Sequence, residues 1–102
     1  MNTKVGNLYP NKCNGSDQRL TVDSTAGGVQ LSAFAADSDY IVWDVQDADI
    51  MVTFDGSAPT STNGHRLYAG QAGTWSVPTA TAMKAIRQGA TSGVLHATPF
   101  ID

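Results

Sequence analysis

The alternation of apolar and polar side chains is sharpest between Asp39 and Gly64, DYIVWDVQDADIMVTFDGSAPTSTNG. In its first run Ile41, Trp43 and Val45 share one face, and Tyr40, Val42 and Asp44 share the other. In its second run Ile50, Val52 and Phe54 alternate with Met51, Thr53 and Asp55. Side chains on a strand point to opposite faces with period two, so each run buries one face and wets the other. Gln46-Asp47-Ala48-Asp49 lies between the runs and predicts an antiparallel hairpin, the central one of a β-sandwich. Asp55-Gly56 closes the second run, and Pro59 keeps it from continuing as a central strand.

The flanking chain reads the same way. Residues 1–17 form an N-terminal arm, punctuated by Asn2, Gly6, Asn7, Pro10, Asn11, Asn14 and Gly15, with Val5, Leu8 and Tyr9 as its apolar anchors. Residues 18–102 form the sandwich domain. Leu20 and Val22 alternate in a short strand over 19–23, and Ser24 to Gly28 make a turn. A further strand is predicted over 29–34, with Val29, Leu31 and Ala33 on one side. Ser57 to Gly64 is a loop, followed by a strand over 65–69 with Leu67 inward and one over 74–77 carrying Trp75. Residues 79–86 fit either a short helix capped by Thr79 or a strand. The glycine-flanked loop Gly89 to Gly93 favours a strand in the second half, after a turn or a single helical turn, forming a hairpin with the final run over 94–100. The sum is an all-β fold: an antiparallel, jelly-roll-like β-sandwich of about eight short strands.

Composition narrows what such a domain does. At 102 residues the chain is long enough for one core. All nine acidic residues are Asp, and the lack of Glu, a good helix former, agrees with an all-β reading. Charged residues are only 15%, which suits a surface packed against partners. A net charge of −3 with scattered Lys and Arg argues against a direct nucleic-acid ligand. A single cysteine, Cys13, excludes an intramolecular disulfide framework and reads as an ordinary thiol. No apolar run is long enough for a membrane helix and no leader pattern is present, so the expectation is a protein made and kept soluble without export. The sequon Asn14-Gly15-Ser16 matters only in a glycosylating pathway and is discounted.

Candidate chemistry is sparse. Asp44, Asp47, Asp49 and Asp55 cluster in sequence without EF-hand spacing; a loop-borne calcium site at Asp47 and Asp49 is the alternative to solvated carboxylates, the reading adopted. His65 and His96 are far apart, with no Cys or second His at metal-ligand spacing. Ser57 follows Asp55-Gly56 in a turn and not in a nucleophile elbow, and no phosphate-cradling glycine motif occurs. The expectation is therefore a protein that is not an enzyme, with no cofactor, metal or catalytic residue. Trp43 and Trp75 are candidates for stacking on a sugar, but Trp43 lies in the most apolar strand and is assigned to the core.

Several of these segments, in this order, resemble a family of small virion structural proteins of tailed bacteriophages. They are V-T-F-D-G-S-A-P-T (Val52 to Thr60), N-G-H (Asn63 to His65), W-S (Trp75-Ser76), I-R-Q-G (Ile86 to Gly89) and V-L-H-A (Val94 to Ala97). The D-G-S-x-P-T turn alone also resembles sandwich modules appended to chitin-degrading enzymes. The resemblance to virion proteins implies a capsid decoration or cement protein, a trimer on the shell that clamps neighbouring major capsid subunits, with the arm over 1–17 as the clamp. The alternatives are a connector, tail or fibre-associated virion protein, or a carbohydrate-binding module.

Overall fold

The computed structural model describes residues 12–101. In chain order they form β1 (Lys12–Cys13), β2 (Gln18–Val22), β3 (Tyr40–Gln46), β4 (Ile50–Thr53), β5 (His65–Leu67), β6 (Ala72–Ser76), α1 (Val77–Ala82), β7 (Lys84–Arg87) and β8 (Gly93–Ile101). All strand pairings are antiparallel and fall into two sheets. In the larger, β8 lies between β3 on one side and β1 and β2 on the other, and β6 pairs with the outer side of β3. In the smaller, β4 lies between β5 and β7. The inner faces of both sheets meet in one core: Val22, Ile41, Trp43, Val45, Leu95 and Ala97 from the first, Ile50, Val52, Leu67 and Ala85 from the second. The antiparallel sandwich of eight short strands predicted from periodicity is the fold observed.

The pairings differ from those the sequence predicts. The two central runs are strands, yet they do not form a hairpin: β3 pairs with β6 and β8, whereas β4 pairs with β5 and β7. The link between them crosses from one sheet to the other. Asp47 takes a positive φ of 74°, and Ala48 N–H donates to the Gln46 carbonyl, which turns the chain over within a few residues. Crossing puts both apolar faces against the same core, which a flat hairpin with two solvent-facing sides does not do. The same holds for β7 and β8. They lie in different sheets, with β7 against β4, and Gln88 N–H donates to the Asp49 carbonyl at this crossover.

Residues 29–34 do not form the predicted strand. Val29 makes an isolated two-bond bridge to Ala85, with N···O distances of 2.7 and 2.9 Å. Further on, the Gln18 carboxamide takes the place of a strand partner: it accepts from Ser32 N–H at 2.7 Å and donates to the Ser32 carbonyl at 2.9 Å. Leu31, between these two tethers, is buried in the core. A side-chain amide satisfies the backbone here, so the segment stays irregular.

The ambiguous stretch after β6 is one helical turn and then a strand. Its cap is Ser76, whose hydroxyl oxygen accepts from Thr79 N–H, and not Thr79 itself. Pro78 sits in the first turn, where no intrahelical donor is lost. Ala80 and Met83 are the residues this turn buries.

Two glycines make the close approaches possible. Trp43 lies over Gly73, its cross-strand partner, where a β-carbon would stand 2.8 Å from the indole Cζ2. Gly93 opens β8 beneath the first crossover, where a β-carbon would stand 2.5 Å from the Ala48 carbonyl oxygen. Backbone cannot move aside as a flexible side chain does. Gly93→Ala is therefore expected to destabilise the fold by about 1–3 kcal/mol in urea unfolding, while Gly89→Ala, with nothing within 4 Å of the new methyl group, leaves the midpoint unchanged.

Candidate functional site

The larger sheet turns its second face outward, and register sets out its rows. Cys13, Phe100, Tyr40 and Ser76 form one row, with Tyr40 and Phe100 stacked at 5.6 Å and 9° between planes. The next row is Thr98, Val42 and Thr74, and here Val42 is 37% exposed despite its place in an interior strand. Arg19, His96, Asp44 and Ala72 follow. One end of the face is thus aromatic and aliphatic, and the other is polar.

The polar end is tied together by hydrogen bonds. Arg19 donates to Gln46 Oε1 at 2.9 Å, and Gln46 Nε2 donates to Asp44 Oδ2 at 2.9 Å. Asp17 accepts from the Thr98 hydroxyl at 2.8 Å and lies 3.2 Å from His96 Nε2. The Thr98 hydroxyl, and after it His96, hold the Asp17 carboxyl below the ordinary 3.8. Of the expected arm, residues 1–11 lie outside the described residues. Residues 12–17 run along β8, with β1 paired to Phe100 and Ile101 and Asn14 N–H donating to the Pro99 carbonyl.

The residues singled out from sequence do not converge. Asp49 carries two attachments: Oδ2 accepts from Arg66 at 2.7 and 3.1 Å, and Oδ1 accepts from Ala69 N–H at 2.8 Å. The Ala69 N–H first, then Arg66, keep its carboxyl below 3.8. Asp55 Oδ1 accepts from both the Ser57 hydroxyl and the Ser57 N–H, which makes Ser57 a turn residue. Among the described residues no group of three His, Cys or Asp side chains stands close enough to share a metal ion. His65 opens β5 beside Phe54, while His96 lies on the outer face of β8 in the other sheet. Cys13 is exposed, and the Asn14 amide donates to the Ser38 hydroxyl at 3.0 Å.

Trp43 and Trp75 do come together, but with each other. Their rings stack at 4.6 Å, and Phe54 meets Trp75 edge-on at 5.4 Å. Trp43 is in the core as predicted, and its Nε1 is a buried polar atom without a hydrogen-bond partner among the described residues. Trp75 is half-buried at the sheet edge. A groove of about 540 Å³ beside it is lined by Phe54, Asp55, Asn63 and His65. A second, of about 480 Å³, runs between residues 14–20 and 30–35.

No protein-family model, curated protein or solved structure matches the chain. The function is therefore read from the surface just described. Sequence pattern had placed Tyr40, Val42 and Asp44 on one face, but the partners that complete it, Phe100, Thr98, His96 and Asp17, come from the two ends of the described chain.

Four carboxylates, Asp17, Asp23, Asp49 and Asp55, have lowered pKa values in the fold, each chiefly through hydrogen bonds donated to it. A depressed folded-state pKa contributes stability above the unfolded value, lost as pH falls through the folded value. Urea midpoints are expected to hold steady above 3.8 and to decline below it. In the Asp17→Asn, Asp49→Asn double variant the decline becomes shallower.

Proposed function

We propose that this protein is a non-enzymatic virion structural protein of the tailed-phage type: a capsid decoration protein that binds the major capsid protein and stabilises the head shell. The observation that carries the reading is the outer face of the five-stranded sheet. A rigid β-platform exposes an apolar and aromatic end, Tyr40, Val42 and Phe100, at the place where β1 enters from the N-terminal residues. The resemblance of the segment order to that of small phage virion proteins supports it, as does the low proportion of charged residues. In this reading the face docks on shell subunits, the N-terminal arm over 1–17 serves as the clamp, and many bound copies act with avidity.

A connector or tail position uses the same platform against other partners. Copy number separates the two, since decoration scales with the number of shell subunits and a connector occupies one vertex. The decisive experiment is binding of the purified protein to undecorated capsids, quantified by gel densitometry. Deleting residues 1–11 is expected to reduce occupancy while the circular dichroism and melting curve of the domain stay unchanged. Full occupancy after that deletion removes the clamp. Val42→Lys, which puts a charge on the exposed side of β3, is expected to lower capsid affinity roughly tenfold, about 1.4 kcal/mol, and to leave the fold intact; unchanged affinity removes this face from the contact.

A further inference from the structure

The free edges of the two sheets are not alike. The β7 edge is covered, because Val29 bridges to Ala85 and Arg87 N–H donates to the Asp23 carbonyl. On β5, Arg66 reaches across to Asp49 and lies over the Tyr68 ring. The edge formed by β1 and β2 carries Lys12 and Arg19, and the Gln18 side chain ties it to Ser32. Strand β6, Ala72-Gly73-Thr74-Trp75-Ser76, has none of these protections. It lacks charge, proline and a covering segment among the described residues, the devices by which edge strands ordinarily avoid pairing with another chain.

Register shows which backbone groups are open. Val45 N–H donates to Gln71 O and Val77 N–H to Asp39 O, so the hydrogen-bonded pairs between β3 and β6 include Ile41 with Trp75 and Trp43 with Gly73. Ala72, Thr74 and Ser76 fall at the alternate positions, and the N–H and C=O groups of Ala72 and Thr74 face away from the sheet.

We infer that β6 is a self-association edge: two copies of this chain pair antiparallel through β6 about a two-fold axis at Thr74, joining their larger sheets. The sequence is self-complementary in that register. Thr74 meets Thr74 of the second copy in a hydrogen-bonded pair, and Ala72 meets Ser76. On the inner face the half-buried Trp75 falls opposite Gly73 of the other copy, beside the Trp43 ring that lies over that glycine. Charge is also compatible. Neither β6 nor the adjoining α1 carries a charged side chain, so two copies of a chain with net charge −3 meet here without like charges opposed. A two-fold contact of this kind is isologous and closes with two copies. It stands independently of any virion location.

The test uses the full chain with Cys13→Ser, the one native thiol removed, and light scattering behind a sizing column. The expected mass is that of a dimer. Thr74→Cys in this background is expected to give a disulfide-linked dimer on oxidation, because paired Cα atoms about 5.5 Å apart lie within disulfide range. Ala72→Cys is not, because its two copies stand about 14 Å apart, four residues along the strands. Thr74→Lys is expected to yield a monomer with an unchanged circular dichroism spectrum. A monomeric or trimeric parent, or equal crosslinking at positions 72 and 74, overturns the inference.

Discussion

Strand β8 is the element on which the larger sheet depends, because both of its edges are used. Seven register pairs bind it to β3 on one side, and β2 and then β1 occupy the other. Its inward side chains Leu95, Ala97 and Pro99 are buried, and its outward His96, Thr98 and Phe100 belong to the exposed face. Backbone groups in the interior of a sheet must be paired or incur a desolvation cost comparable to a lost hydrogen bond. A nine-residue strand that gathers β1, β2 and β3 can therefore do so only across the long stretches of chain that separate it from them. Contacts of this kind, between segments tens of residues apart, are also the slow part of folding a β-protein.

The smaller sheet is held against the larger by two crossovers that touch each other. The first, through Asp47 and Ala48, passes above Gly93, at the end of the second. Gln88 N–H bonds to the Asp49 carbonyl, and Asp49 in turn anchors Arg66 and Ala69. The Asp49 carboxylate, a cation candidate on the sequence, is here a joint between loops. Trp43, Trp75 and Phe54 have a similar history: side chains with the chemistry to bind a sugar spend much of their ring surface on one another.

Two strand surfaces remain outward, the second face of the larger sheet and the open edge of β6. Both suit association of protein with protein. The face offers apolar and aromatic side chains on a rigid platform, and the edge offers backbone groups in a neutral, self-matching order.

Periodicity alone picked out most of the strand segments and the inward side of the two central runs. Ile41, Trp43, Val45, Ile50, Val52 and Leu67 are buried as their alternation requires, because period two is a local property of an extended chain. The exceptions are informative. Met51 and Thr53 alternate as solvent-facing residues, yet both are buried, flanked across the sheet by Arg66, Ile86 and Lys84. Residues 29–34 alternate as a strand but have a glutamine side chain for a partner. Pairing was left to tertiary structure, since alternation says which face is apolar and not which distant strand lies alongside. Two neighbouring strands joined by four polar residues can fold flat or cross between sheets. Burial of both apolar faces in one core, and the space left by Gly93 beneath the crossing chain, decided for the crossing.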